Sequence, residues 1–206
     1  MTGCTPVSIP LPANSCFLPV PPDEHSEVSS YPYLEVLGLL TYAAMGTHPD
    51  ISYAVRSLAL FTSNFGHAHI NGLKHIMRYL ASCPKWGILY TRGSGGLIGY
   101  TDTDWASDQT NQWSMLGHTF LYSGGVMLWM SKQQSTIATS STHAEYIART
   151  EVSKELIWLR HLLSELREGV YHSTPLHIDN RAVDLLAQNP VNHTMMKHID
   201  VCYHFI

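Results

Sequence analysis

The stretch LIGYTDTDWASD, residues 97–108, runs from an apolar, β-prone segment straight into three carboxylates, Asp102, Asp104 and Asp108, set around Trp105. Only 14% of the 206 residues are charged, so this concentration of acid needs a reason. One reason is a strand that closes in a polar turn, rich in Asp and Ser. The other is a strand end that offers hard oxygen ligands to a divalent cation. What flanks the stretch decides between them.

Downstream, GHTFLYS (117–123) and VMLWMS, continuing through STIATS (126–140), are short β-rich runs separated by Gly, Ser and polar residues. With LIGYT they predict three consecutive antiparallel strands. From Thr142 to Arg167, Ala144, Ala148, Val152, Leu156, Leu159, Leu163 and Leu166 recur at spacings of three or four, the pattern of a long helix with one apolar stripe. The next strand, PLHID (175–179), follows a crossover helix and is therefore expected to run parallel to its neighbour, giving a mixed sheet in an α/β domain. NRAVDLLAQ and KHIDVCYHFI then read as helical.

Upstream the grammar differs. Residues 1–30 contain repeated proline and no sustained apolar period, which predicts an extended lead-in. Residues 31–92 carry three helical signals, YLEVLGLLTYAAM, HPDISYAVRSLALF and HINGLKHIMRYLA. This segment is locally basic, with Arg56, Lys74, Arg78, Lys85 and Arg92 against Glu35 and Asp50. Lys74, Arg78 and Lys85 are the candidate nucleic-acid contacts, and an ordinary solvated helix face is the competing reading. Residues 93–206 form the α/β domain.

The net charge of -4 supplies no global field for a nucleic-acid backbone, so such binding has to come from that local patch. Cys4, Cys16, Cys83 and Cys202 are scattered without a CxxC pair, and the histidines form no HExxH arrangement, so neither zinc nor a disulfide framework is expected. No apolar run approaches the roughly 20 residues of a membrane span. The composition predicts a soluble chain in a reducing, cytoplasmic setting.

Three acids fall at informative places: Asp102 at the end of the first strand, Glu145 in the first turn of the long helix, and Asp179 at the end of PLHID. Strand C-termini of open sheets are where ligands gather. If the first and fourth strands are neighbours, Asp102 and Asp179 lie side by side and the helix can deliver Glu145 to them. Such carboxylates repel unless a divalent cation neutralises them, and an all-oxygen donor set points to Mg²⁺ or Mn²⁺. Each acid also has an ordinary role: Thr142 and Glu145 fit a T-x-x-E capping box, Asp179–Asn180 suits a helix entry, and residues 102–108 suit a turn.

The motifs GYTDTDWASD, LWMSKQQSTIATSSTHAEYIA, KELIWLRHLLSEL, HIDNRAVDLLAQNPV and KHIDVCYHFI, in this order, resemble the ribonuclease H domain of copia-type retrotransposon polyproteins. YPYLEVLGLLTYAAMGTHPDISYAV and GLKHIMRYLASCPKWGILY resemble the segment that joins reverse transcriptase to that domain, and MTGCTPVSIPL the stretch before it. The resemblance implies a ribonuclease H-like mixed sheet that lacks the family's last strand and helix. It also implies that Asp102, Glu145 and Asp179 are catalytic, metal-binding carboxylates holding Mg²⁺ or Mn²⁺. The reaction implied is cleavage of the RNA strand of an RNA–DNA hybrid, leaving a 5′ phosphate and reading shape rather than base sequence. The implied partners are the hybrid and the remainder of a retrotransposon polyprotein, in the cytoplasm, a virus-like particle or the nucleus.

Departures from the family pattern lower the expected activity. His143 stands where the family has the first Glu of S-S-T-E-A-E-Y, and residues 112–118 read QWSMLGH where the family has a basic pair followed by S-T-S-G-Y. The family's fourth carboxylate, in an A-D pair on a final helix, has no counterpart here, and Asp200 is a poor substitute. The alternative expectation is a non-catalytic remnant of such an element with at most weak nucleic-acid binding.

Overall fold

A computed structural model describes residues 3–12, 15–93, 95–105, 113–168 and 173–178. The chain divides into two compact units, Met1–Ile88 and Leu89–Ile206. The predicted helices of NRAVDLLAQ and KHIDVCYHFI lie outside the described residues, as do Asp108, Asp179 and Asp200.

The first unit contains helices α1 (Pro22–Val28), α2 (Tyr33–Gly46), α3 (Ser52–Ala59) and α4 (His67–Ser82), with one 3-10 turn at Pro49–Ile51 before α3. Pro22 and Pro49 occupy first-turn positions, where the missing amide proton costs nothing. Leu37, Leu40 and Ala44 of α2, Val55 and Leu58 of α3 and Ile70, Leu73 and Ile76 of α4 form the core. The Tyr33 ring stacks on Phe65 with centroids 4.3 Å apart, and its hydroxyl donates to the Leu58 carbonyl at 2.9 Å. The proline-rich lead-in lies on this unit: Val7, Leu11 and Phe17 pack against its core.

The second unit is a four-stranded mixed sheet with one long helix, as the α/β reading expects. Strands β1 (Ile98–Asp104), β2 (Met115–Tyr122) and β3 (Gly125–Gln133) are successively antiparallel, and β4 (Leu176–His177) runs parallel to β1, giving the order β3-β2-β1-β4. Ser123 and Gly124, with φ of 52° and 78°, make the tight turn between β2 and β3, the geometry whose twist matches that of flanking strands. Residues at the start of this unit, grouped by sequence with the helical segment, bond to the sheet: Thr91 N donates to Ser123 O at 2.7 Å, and Tyr90 Oη to Val126 O at 2.7 Å.

Helix α5 (Ser141–Glu165) covers one face of the sheet, with Ala148, Val152, Leu159 and Leu163 packed on Leu97, Leu116 and Phe120. Gly99 sits where β1 is squeezed hardest, since a Cβ there would come within 2.8 Å of both Phe120 and Leu176 side chains. The return to β4 is tied by Arg160, which donates to Thr174 Oγ1 at 2.7 Å, and by Gly99 N, which donates to Pro175 O at 2.9 Å.

Two local expectations are corrected. The third strand stops at Gln133 and does not continue through STIATS, because the Gln134 side chain turns onto α5 and donates to Ala144 O. The helix is capped by Ser140, whose Oγ accepts from His143 N at 3.1 Å, and not by Thr142.

Candidate active site

Strand pleat fixes where Asp102 points. Gly99 stands opposite Phe120 and Thr103 opposite Leu116, both partners belonging to the core under α5. Asp102, opposite Gly117, therefore faces the other side of the sheet, together with Tyr100. Its carboxylate is exposed, and its Oδ1 accepts from the Thr103 amide at 2.7 Å. A shallow depression of about 500 Å³ opens here, lined by Tyr100, Asp102, Gly117, Thr119 and His177 among others. The glycine leaves its floor bare, and the Tyr100 and His177 rings stack with centroids 4.9 Å apart along one flank.

Glu145 comes from α5, half-buried, in the part of the helix held at this same end of the sheet. Trp105, just past β1, donates its indole proton to Ala138 O at 3.1 Å, tying the strand end to the loop that enters α5. Gln134 grips Ala144 O at 2.7 Å, tying the end of β3 to the helix. Since Ser140 is the cap, the capping-box role for Glu145 falls away. His143, which stands where the family has a glutamate, is buried, and its Nδ1 accepts from Thr139 N at 3.2 Å, which makes the ring a latch for the entry loop.

The structure thus describes two of the three predicted carboxylates: the end of β1 and the start of α5 meet at one end of the sheet, but Asp102 faces away from the helix that carries Glu145. Among the described residues there is no group of three or more His, Cys, Asp or Glu side chains able to hold a metal ion. The donors present, two carboxylates without a thiol, fit a hard cation of the Mg²⁺ or Mn²⁺ type. Sequence reasoning missed Trp105 and Gln134, whose positioning roles depend on long-range partners, and it missed His118. That ring is 7% exposed on the α5 side of β2, edge-on to Phe120, and its pKa is pushed down to about 4 by burial and secondarily by Lys132.

The basic candidates belong to the helical unit. Lys74 Nζ lies 5.8 Å from the centre of the Tyr31 ring, Arg78 Nε donates to Thr5 O at 2.7 Å, and Lys85 is exposed beyond α4. Among the described residues no helix is long and apolar enough to cross a membrane.

Comparison with known proteins gives the lineage. Over its whole length the chain is 37% identical to the retrovirus-related Pol polyprotein from transposon TNT 1-94 of Nicotiana tabacum, of which it spans 16%. It is 39% identical over 175 residues, 84% of its length, to the Pol polyprotein from transposon RE1 of Arabidopsis thaliana, of which it spans 12%. The chain thus covers a small part of these relatives. It is also 40% identical over 133 residues, 64% of its length, to Secreted RxLR effector protein 161 of Plasmopara viticola, of which it covers 94%. No protein-family model matches the sequence, and no solved structure matches the fold. Sequence and mixed sheet together define a retrotransposon-derived α/β protein. Its similarity is to a segment of the retrovirus-related Pol polyproteins of plant transposons, in line with the resemblance read from its motifs.

Proposed function

We propose that the chain is a ribonuclease H-type, metal-dependent endonuclease segment acting on the RNA strand of RNA–DNA hybrids, weakened by its departures from the family pattern. The observation that carries this reading is the parallel pairing of β1 with β4, in register Tyr100 to His177. In the sequence Asp102 follows Tyr100 by two residues and Asp179 follows His177 by two, so a carboxylate comes two residues after each member of this pair. Glu145, relieved of a capping role on the helix packed over β1, is the third.

Asp102, Glu145 and Asp179 would hold Mg²⁺ or Mn²⁺. When bound, such ions polarise the scissile phosphate and lower the pKa of an attacking water. The chain's own part is placement. The Thr103 amide holds one oxygen of Asp102, and the Trp105 and Gln134 bonds hold the start of α5 so that Glu145 is fixed before substrate arrives. The open depression beside Asp102 gives a backbone access from solvent.

The test is cleavage of a labelled RNA–DNA hybrid by the purified chain in Mg²⁺ and in Mn²⁺, beside Asp102→Asn. Metal-dependent cutting that disappears in the variant supports the reading. Cutting that survives Asp102→Asn, or none by a chain shown to be folded, leaves a non-catalytic remnant.

A further inference from the structure

Between Thr5 and Ile9 the lead-in offers its backbone carbonyls to side chains of α4. Arg78 Nε donates to Thr5 O at 2.7 Å, Ser82 Oγ lies 2.8 Å from Val7 O and shares its proton with Tyr79 O at 2.6 Å, and His75 Nε2 lies 3.1 Å from Ile9 O. Alternate carbonyls of an extended segment therefore meet donors on one helix face. Helix α4 contains no carboxylate, and among the described residues Arg78 and Lys74 have no acid within ion-pair distance. A full positive charge is thus met by a neutral carbonyl, where an anionic oxygen would form a bond roughly twice as strong.

The attachment is uneven. Phe17 is the firm end: its ring packs between Phe61 and His69, at 6.5 and 5.4 Å, over Gly72, where a Cβ would come within 3.1 Å of it. Between this anchor and residues 5–9, Ser15 N and Oγ both donate to Pro12 O. Thr5, Pro6, Ser8 and Ile9 are exposed, so this stretch has few buried contacts and belongs to the part of a fold that opens most readily.

We propose that Thr5–Ile9 is a displaceable strap over a phosphate-binding face of α4, and that a nucleic-acid backbone competes with the strap for Arg78, Ser82 and His75. Its displacement leaves Phe17 seated. The face belongs to the helical unit and uses none of the candidate metal-binding carboxylates, so binding is measured in EDTA and stands whether or not the chain cuts.

The experiment is titration of the whole chain with a labelled RNA–DNA hybrid, followed by anisotropy and by maleimide labelling located by mass spectrometry. Cys4, half-buried beside Thr5, reports the strap, and the exposed Cys16 is its control. Saturating hybrid is expected to raise Cys4 labelling about threefold, the sign of local opening, with Cys16 unchanged. Arg78→Ala is expected to weaken binding about tenfold and to reduce the salt slope by about 1, with Arg78→Lys restoring most of the affinity. Loosening the strap by Val7→Gly with Leu11→Gly is expected to tighten binding. A chain that binds no hybrid, binding that leaves Cys4 labelling unchanged, or Arg78→Ala binding like the parent each overturns the proposal. Displacement by an extended peptide but not by hybrid overturns it too, making the face a peptide receptor.

Discussion

Gln134 Nε2 donates a 2.7 Å hydrogen bond to the carbonyl oxygen of Ala144, so a buried amide just beyond β3 holds the helix one residue before Glu145. Gln134→Leu keeps the volume and removes the bond. The expected loss is about 1 kcal/mol, read as a lower urea midpoint. Hybrid cleavage should fall by more than that loss explains, on the order of tenfold, since a misplaced carboxylate costs rate beyond its share of stability.

Glu145→Gln preserves shape and removes charge. On the proposed function, metal-dependent cleavage falls on the order of a hundredfold or more, the scale of a lost electrostatic group at a reacting centre. Far-UV circular dichroism is expected to be unchanged, because Ser140 and not Glu145 caps α5. Parental cleavage by this variant would remove Glu145 from the site.

His118 sets an acid limit on stability. Its folded pKa of about 4 lies below the ordinary histidine value, so the unfolded chain takes up a proton that the folded chain refuses. The stability is complete above about pH 6.5 and drains as pH falls towards 4, by about 3 kcal/mol at most. Among the described residues neither ring nitrogen has a hydrogen-bond partner, so His118→Leu is expected to raise the urea midpoint at pH 7 and to flatten its decline in acid.

Tyr33 acts at the other end of the scale. Burial raises its hydroxyl well above the ordinary tyrosine value, and the hydroxyl donates to Leu58 O within the helical core. A raised folded pKa gives stability that is full below about pH 10 and is lost as the solution becomes more alkaline. Tyr33→Phe is expected to cost about 1 kcal/mol at pH 7 and to lessen the alkaline loss, measured by thermal melts at pH 8 and pH 10.5.

Much of this was legible in the residues. Alternation in LIGYT and GHTFLYS and the three- and four-residue spacing from Ala144 to Leu163 specify strands and a helix by local periodicity, and a helix between two strands specifies a parallel return. The end of β3 and the cap of α5 were misread for one reason. Gln134 and Ser140 are chosen by partners across the fold or by loop geometry, and STIATS has the composition of a strand whatever its surroundings.

The sequence by itself therefore determined the lineage, the mixed α/β architecture and the acids worth following, because motifs and periodicities are properties of neighbours along the chain. Only the tertiary structure decided that Asp102 faces away from α5, that Glu145 is no cap, that His118 is buried beneath the helix, and that Arg78 is held by the carbonyl of Thr5. Those depend on strand register, packing and hydrogen bonds between residues far apart in sequence, for which no local pattern carries a signal.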